Sequence, residues 1–151
     1  MNRAFAKTPG GPIHVLSVGS LTSKTRCVIL TAAFADAGTL AATSTSVTIT
    51  PSRGTMKVDF AKAIPLVHAM VAELATLVDP TTCGMSSTYT ATYPVVRGTG
   101  SYSAISGSVR LTTNDTGVFS ELKTGKCNLG NNSAPIGSLS IARGSGTVAF
   151  E

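Results

Sequence analysis

Apolar and polar residues alternate along most of this chain with a period of two, which is the period of a half-buried β-strand. The alternating runs are rich in Val, Ile, Thr and Tyr and are separated by Gly, Pro, Asn and Asp, which favour turns. Strands are therefore predicted at 13–18, 26–35, 44–50, 55–60, 87–96, 106–113, 118–122, 136–142 and 147–150. Short strands joined by such turns indicate an all-β fold, an antiparallel β-barrel of about eight strands.

Clusters of Gly, Pro and Asp divide the predicted strands and are interpreted as turns. The clearest lie at 36–38, 51–54 and 143–146, and the second of these joins two alternating runs into a hairpin. Residues 1–12 end in two Gly and two Pro and are predicted to be an irregular N-terminal lead-in. A single barrel domain is then predicted over 13–151.

The segment 62–79 departs from the strand pattern. Its apolar residues recur at spacings of three and four, at Ile64, Val67, Val71, Leu74 and Val78. This spacing predicts a helix-like insertion of roughly three to four turns, which ends before Pro80 because the residue preceding a proline avoids helical backbone angles. We expect the helix to pack on the core, with His68 as a packed side chain; a ligand lid or a partner-binding helix is the alternative.

Composition limits the classes of function. The chain has 151 residues, of which 42% are hydrophobic, so it can bury a core and is not disordered. Twelve Lys and Arg residues against seven Asp and Glu give a net charge of +5, but the cations are spread along the chain. Nucleic-acid binding usually needs a concentrated basic face, so no nucleic-acid partner is expected. No apolar stretch reaches the length of a transmembrane helix, so no transmembrane segment is expected either.

The three cysteines stand at positions 27, 83 and 127, without Cys-x-x-Cys spacing and far from both histidines. Metal sites need such clusters, so no metal and no cofactor are predicted. Cys83 follows a proline-containing turn and Cys127 precedes an asparagine-rich loop, so both are predicted at strand ends, where a Cys83–Cys127 disulfide could join two loops. That bridge would contribute about 3 to 4 kcal/mol. Cys27 is predicted to be a buried free thiol inside its strand.

Candidate catalytic groups are few. Nucleophilic catalysis by Ser or Cys needs a nearby base, and His14 and His68 are the only histidines. Of the seven acids, Asp36 and Asp115 are interpreted as turn formers, and Asp59 is a weak candidate for the barrel lumen. The glycosylation patterns at 114–116 and 131–133 are interpreted as polar surface turns. Catalytic residues are therefore left unassigned.

The segment 97–107, RGTGSYSAISG, combines several features of a tight connection between strands. Gly98 and Gly100 allow positive φ, and Gly107 lets the next strand start close to a neighbour. Tyr102 can fold its ring over the turn onto the core. This segment resembles the G-T-G-x-aromatic segment of the allene oxide cyclase and dirigent barrels. Four further segments, at 34–39, 53–58, 79–83 and 125–128, are similar to small secreted actinobacterial proteins whose function is not established and which are built on that type of barrel.

The resemblance implies a barrel that acts with few catalytic groups. Allene oxide cyclases hold and desolvate a reactive apolar substrate, and dirigent proteins orient radicals. The first hypothesis is an exported, non-enzymatic module that binds a small apolar ligand or has a structural role. The alternatives are an isomerase or cyclase acting by cavity shape, and a cell-surface interaction protein with a filled barrel. Homo-oligomer formation is left open.

The resemblance also favours secretion or the cell surface. The first residues lack the apolar core of a signal peptide, so this reading expects a leader that is absent from the sequence. A cytoplasmic location is the alternative.

Overall fold

The computed structural model describes residues 10–23, 25–33, 35–43, 45–130 and 133–151, without the side chain of Met70. Over these residues the chain forms a closed barrel of eight antiparallel strands, each paired with its neighbours in sequence and β1 with β8. The strands are β1 Gly11–Gly19, β2 Thr25–Ala32, β3 Asp36–Ala42, β4 Ser46–Pro51, β5 Gly54–Asp59, β6 Gly84–Gly100, β7 Ile105–Val118 and β8 Gly137–Phe150. The predicted all-β antiparallel barrel is confirmed. The lead-in and the glycosylation pattern at 131–133 lie mostly outside the described residues.

The alternation of the sequence determines which side chains enter the barrel. Inward positions carry buried apolar residues from seven of the eight strands, and Leu40 of β3 is partly buried against them. The most deeply buried members include Ile13, Val28, Leu30 and Val148. The outward positions between them are mostly Ser, Thr and other polar residues, which suits a single-layered barrel with one apolar face.

Two predicted turns lie inside strands, and those interpretations are wrong. Residues 36–38 begin β3, where Gly38 pairs with Pro51, and residues 143–146 continue β8 without a break. Glycine favours turns, but at these positions it allows the backbones of neighbouring strands to approach closely. The predicted strand at 118–122 is also wrong, because Val118 is the last residue of β7 and the chain then enters a loop.

The predicted helix is present only in part. It consists of α1 Ile64–Ala72 and α2 Leu74–Leu77, which meet at Glu73. The expected packing on the core is present only in part. Val67 and Leu74 are partly buried, and Leu74 packs against a small apolar cluster that includes Val78. Val71 is 60% exposed, and His68 is exposed, so the prediction of a packed His68 is wrong.

The predicted Cys83–Cys127 disulfide is confirmed. Its Cα atoms lie 5.4 Å apart, and it joins the turn before β6 to the loop after β7. A small apolar cluster that includes Met85 and Phe119 surrounds Cys83. Cys27 is free, as expected, but it is exposed rather than buried. The reason is its position in β2, where Val28 faces inward and its neighbour must therefore face outward.

Candidate functional site

The barrel contains a cavity of about 330 Å³. Its wall is largely apolar and is built by inward residues of all eight strands together with α1 and the β1–β2 turn. The apolar and aromatic lining residues are Val15, Leu21, Leu40, Ala42, Val47, Ile49, Val58, Phe60, Val67, Tyr89, Tyr93, Val109, Leu111 and Ala142. Val67 belongs to α1, so the helical segment contributes one side chain to the cavity wall.

Aromatic side chains from β6 and the end of β5 shape one wall. The rings of Phe60 and Tyr93 are stacked, with centroids 5.7 Å apart. Burial, together with the nearby Tyr89 and Asp115, raises the pKa of Tyr93 to about 12. Burial and the Asp115 carboxylate also raise the pKa of Tyr89. Both phenols are therefore neutral at pH 7 and can present a ring face or a hydroxyl group to a ligand.

One part of the cavity wall is polar. This polar layer extends across β7, β8 and β1 to the beginning of β2. Asp115 of β7 lies directly opposite Ser140 of β8, and Ser140 lies opposite Gly19 of β1. The Arg26 side chain donates a hydrogen bond from Nη1 to Ser140 Oγ, at 2.9 Å. A Cβ at Gly19 would lie 2.4 Å from Arg26 Cγ. Glycine at this position therefore leaves room for the arginine side chain to extend across β1.

Two polar residues of the cavity wall are buried. Asp115 of the polar layer is 2% exposed, and Ser17 of β1 is 3% exposed. Among the residues that the structure describes, Asp115 Oδ1 and Ser17 Oγ have no hydrogen-bond partner. Buried polar atoms almost always have partners, because each unpaired one costs about 1 to 3 kcal/mol. Both residues line the cavity, and their unpaired atoms are buried within its wall.

Asp115 was misinterpreted from the sequence. The prediction of an exposed turn at 114–116 is wrong, because all three residues lie in β7, with Asn114 outward and Asp115 inward. The signal was available: Val109, Leu111 and Thr113 precede Asp115 at intervals of two, and continuing that alternation places the carboxylate inside. The turn prediction depended only on residue type, because Asn and Asp are common in turns.

The histidines and Asp59, considered from the sequence as candidate catalytic groups, lie away from the cavity. His14 and His68 are exposed and do not line the cavity, so no imidazole base is available there. Within the described ranges no group of three His, Cys, Asp or Glu side chains could hold a metal ion. Asp59, the weak candidate for the lumen, alternates with the buried Val58 and is absent from the cavity wall.

The four residues of the barrel-like segment lie elsewhere in the fold, and none of them lines the cavity. Gly98 and Gly100 belong to the end of β6, and Gly107 belongs to β7. Gly100 has a φ of +60° and Gly107 of +133°, whereas Gly98 is required by close contact, since a Cβ there would lie 2.2 Å from the Tyr102 carbonyl oxygen. Tyr102 is fully buried in the connection between the two strands.

Tyr102 is held by a carboxylate from another part of the barrel. Its hydroxyl group donates a hydrogen bond to Asp36 Oδ2. Asp36 Oδ1 accepts hydrogen bonds from the amide and the hydroxyl group of Ser52, at 3.0 and 2.6 Å. Arg53 Nε lies 3.3 Å from Asp36 Oδ2. Burial by itself would raise the pKa of Asp36, but these hydrogen bonds outweigh it and hold the pKa well below its usual value.

We expect Tyr102→Phe to lower the free energy of unfolding by about 2 kcal/mol at pH 7, because a hydrogen bond to a charged group is lost in a buried setting. Since the folded pKa of Asp36 is lowered, its contribution to stability is present above about pH 4 and falls as the pH drops. The variant lacks one donor that lowers this pKa, so its stability should fall less between pH 5 and pH 3. Urea unfolding at several pH values measures both effects, and a variant as stable as the wild type would contradict the role assigned to Tyr102.

No helix in the part of the chain that the structure describes is long and apolar enough to cross a membrane. Comparisons of the chain with models of protein families, with curated proteins and with solved structures find no match.

Proposed function

We propose that this protein binds a small apolar ligand inside its barrel and does so without catalysing a reaction. The observation that carries the proposal is the cavity of about 330 Å³ with a largely apolar wall. Pockets for small molecules begin at roughly 300 Å³ and combine apolar linings with a few polar groups that orient the ligand. A barrel that only supports an external surface would gain stability by filling this space with side chains.

A second candidate function is an isomerase or cyclase that acts through cavity shape. The observation in its favour is Asp115, a buried carboxylate in the cavity wall, which is the kind of group that serves as a general base. The resemblance to allene oxide cyclases points the same way. Binding remains the first proposal because it needs only the cavity, whereas catalysis needs a defined role for Asp115.

The proposed location is outside the cell or on its surface. The Cys83–Cys127 disulfide supports this proposal, because such bonds form and persist in oxidising compartments.

Ligand binding can be tested with the fluorescent probe N-phenyl-1-naphthylamine and a variant that fills the cavity. Ala142 lines the cavity, whereas Ala149 lies on the outer face of the same strand. We expect the wild-type protein to bind the probe with saturable fluorescence enhancement. Ala142→Leu should weaken binding at least tenfold, which is about 1.4 kcal/mol, because the leucine occupies the space.

The control for this experiment is Ala149→Leu, which adds the same side chain without entering the barrel. We expect it to bind the probe as the wild type does. Absence of saturable binding, or equal weakening by both substitutions, would contradict the proposed function.

A further inference from the structure

We propose that the ligand carries a neutral hydroxyl group, which donates a hydrogen bond to Asp115 Oδ1 while its apolar body fills the rest of the cavity. This inference rests on the proposed function and specifies the chemical class of its ligand. The class is a small, otherwise apolar alcohol.

The unpaired atoms in the cavity wall define the polar group that would fit. A carboxylate oxygen such as Asp115 Oδ1 accepts hydrogen bonds and cannot donate them, so its missing partner must be a donor. Ser17 Oγ, the other unpaired atom, can both donate and accept. A ligand hydroxyl group has the same two capacities, so it can serve either atom. A hydrocarbon would leave both atoms unpaired and buried.

The charges of the polar layer favour a neutral head group over an ionised one. Ser140 stands between a cation and an anion, because it accepts a hydrogen bond from Arg26 and lies opposite Asp115 in the strand pairing. A ligand carboxylate would meet the Asp115 carboxylate, and a ligand ammonium group would meet the Arg26 guanidinium, because both side chains line the cavity. Like charges brought together in a poorly solvated site repel strongly. A neutral hydrogen-bond donor is repelled by neither the Asp115 carboxylate nor the Arg26 guanidinium.

The layout of the cavity gives the ligand a direction. Asp115 belongs to the polar layer, and Ser17 lies on β1 opposite Ala142, two residues along β8 from Ser140. The stacked pair Phe60 and Tyr93 belongs to the apolar wall. The alcohol oxygen would therefore lie at the polar layer, and the apolar body would extend along the aromatic wall. This arrangement buries the apolar surface of the ligand and gives its hydroxyl group a charged acceptor.

The experiment compares four ligands with the same ten-carbon chain: 1-decanol, decyl methyl ether, decanoic acid and decylamine. The affinity of each compound is measured by its displacement of N-phenyl-1-naphthylamine from the wild-type protein at pH 7. We expect 1-decanol to bind at least tenfold more tightly than decyl methyl ether, which has no hydrogen to donate. We expect the ionised acid and amine to bind more weakly than the alcohol. No substitution is needed for this comparison, so it does not depend on the folding of a variant.

A substitution then locates the hydrogen bond. Asp115→Leu removes the acceptor and keeps a side chain of similar size, so the alcohol and the ether should differ less than threefold while the probe still binds. The control is Asn114→Leu, which changes the neighbouring outward residue of β7 and should keep the tenfold preference.

The outcomes separate the inference from the proposed function. If the probe binds but the alcohol and the ether bind equally, the inference is overturned and the proposed function stands. Preference for decanoic acid or decylamine also overturns it, because an ionised group would then be the one recognised. If neither the probe nor any decyl compound binds, the proposed function fails and the inference fails with it.

Discussion

Replacing Cys83 and Cys127 together by alanine is expected to lower the free energy of unfolding by about 3 to 4 kcal/mol. The disulfide spans a sequence separation of 44 residues, so its loss frees a long loop in the unfolded chain. The double substitution also removes the covalent link between the turn before β6 and the loop after β7. This link lies within the small apolar cluster that contains Met85 and Phe119. Thermal unfolding should shift down by about 10 °C for a chain of this size.

The control for the disulfide prediction is Cys27→Ser. This thiol is free and exposed, so its replacement should change stability by less than about 0.5 kcal/mol. Urea unfolding of the two variants and of the reduced wild-type protein measures the effect. A double variant as stable as the wild type, with its apolar cluster intact, would show that the folded state tolerates the missing bond and that the entropic argument is wrong.

The fold could be predicted because the alternation of apolar and polar residues is repeated in every strand. Each strand contributes several alternating positions, and errors at single residues do not change the class. Turns were less predictable, since residue type alone does not separate a turn from a close approach between strands. Gly144 and Gly146 lie within β8 and Gly38 within β3, where they allow contact between neighbouring backbones. A single sequence does not reveal which strand lies beside each glycine.

The helical segment illustrates a different limit. Its apolar spacing correctly predicted helical backbone, but the same spacing does not say what covers the apolar face. Leu66 and Val71 are exposed, and Val67 lines the cavity. The spacing of apolar residues is a property of the local sequence, whereas the burial of the face that they form depends on which other parts of the fold pack against it.

The candidate site was the least predictable part. Asp115 and Ser140 lie on the consecutive strands β7 and β8, whereas Arg26 lies on β2. The pairing of β8 with β1 closes the barrel and brings Arg26 within hydrogen-bond distance of Ser140. Local patterns carry no information about that pairing. The inward position of Asp115 was predictable from alternation, but its role depends on its neighbours across the barrel. The disulfide was easier to predict, because the chain has only three cysteines and few pairings are possible.

Gly144→Ala is expected to lower the free energy of unfolding by about 3 kcal/mol or more. A Cβ at this position would lie 1.9 Å from the carbonyl oxygen of Arg110 and 3.0 Å from Cα of Leu111. Both are backbone atoms of β7, so the collision can be relieved only if β8 moves away from the strand with which it pairs. Overpacking typically costs 1 to 3 kcal/mol where side chains can adjust, and a rigid backbone gives less relief.

Gly137→Ala in the same strand is the matched control, because nothing lies within 4 Å of a Cβ at that position and its φ is ordinary. We expect it to be as stable as the wild type or slightly more stable, since alanine restricts the unfolded chain. Urea unfolding of the two variants isolates the cost of the contact from the general effect of replacing glycine in a strand. Equal stability of both variants would mean that β8 can withdraw from β7 at little cost, and that the glycines of β8 are not what holds the strands in close contact.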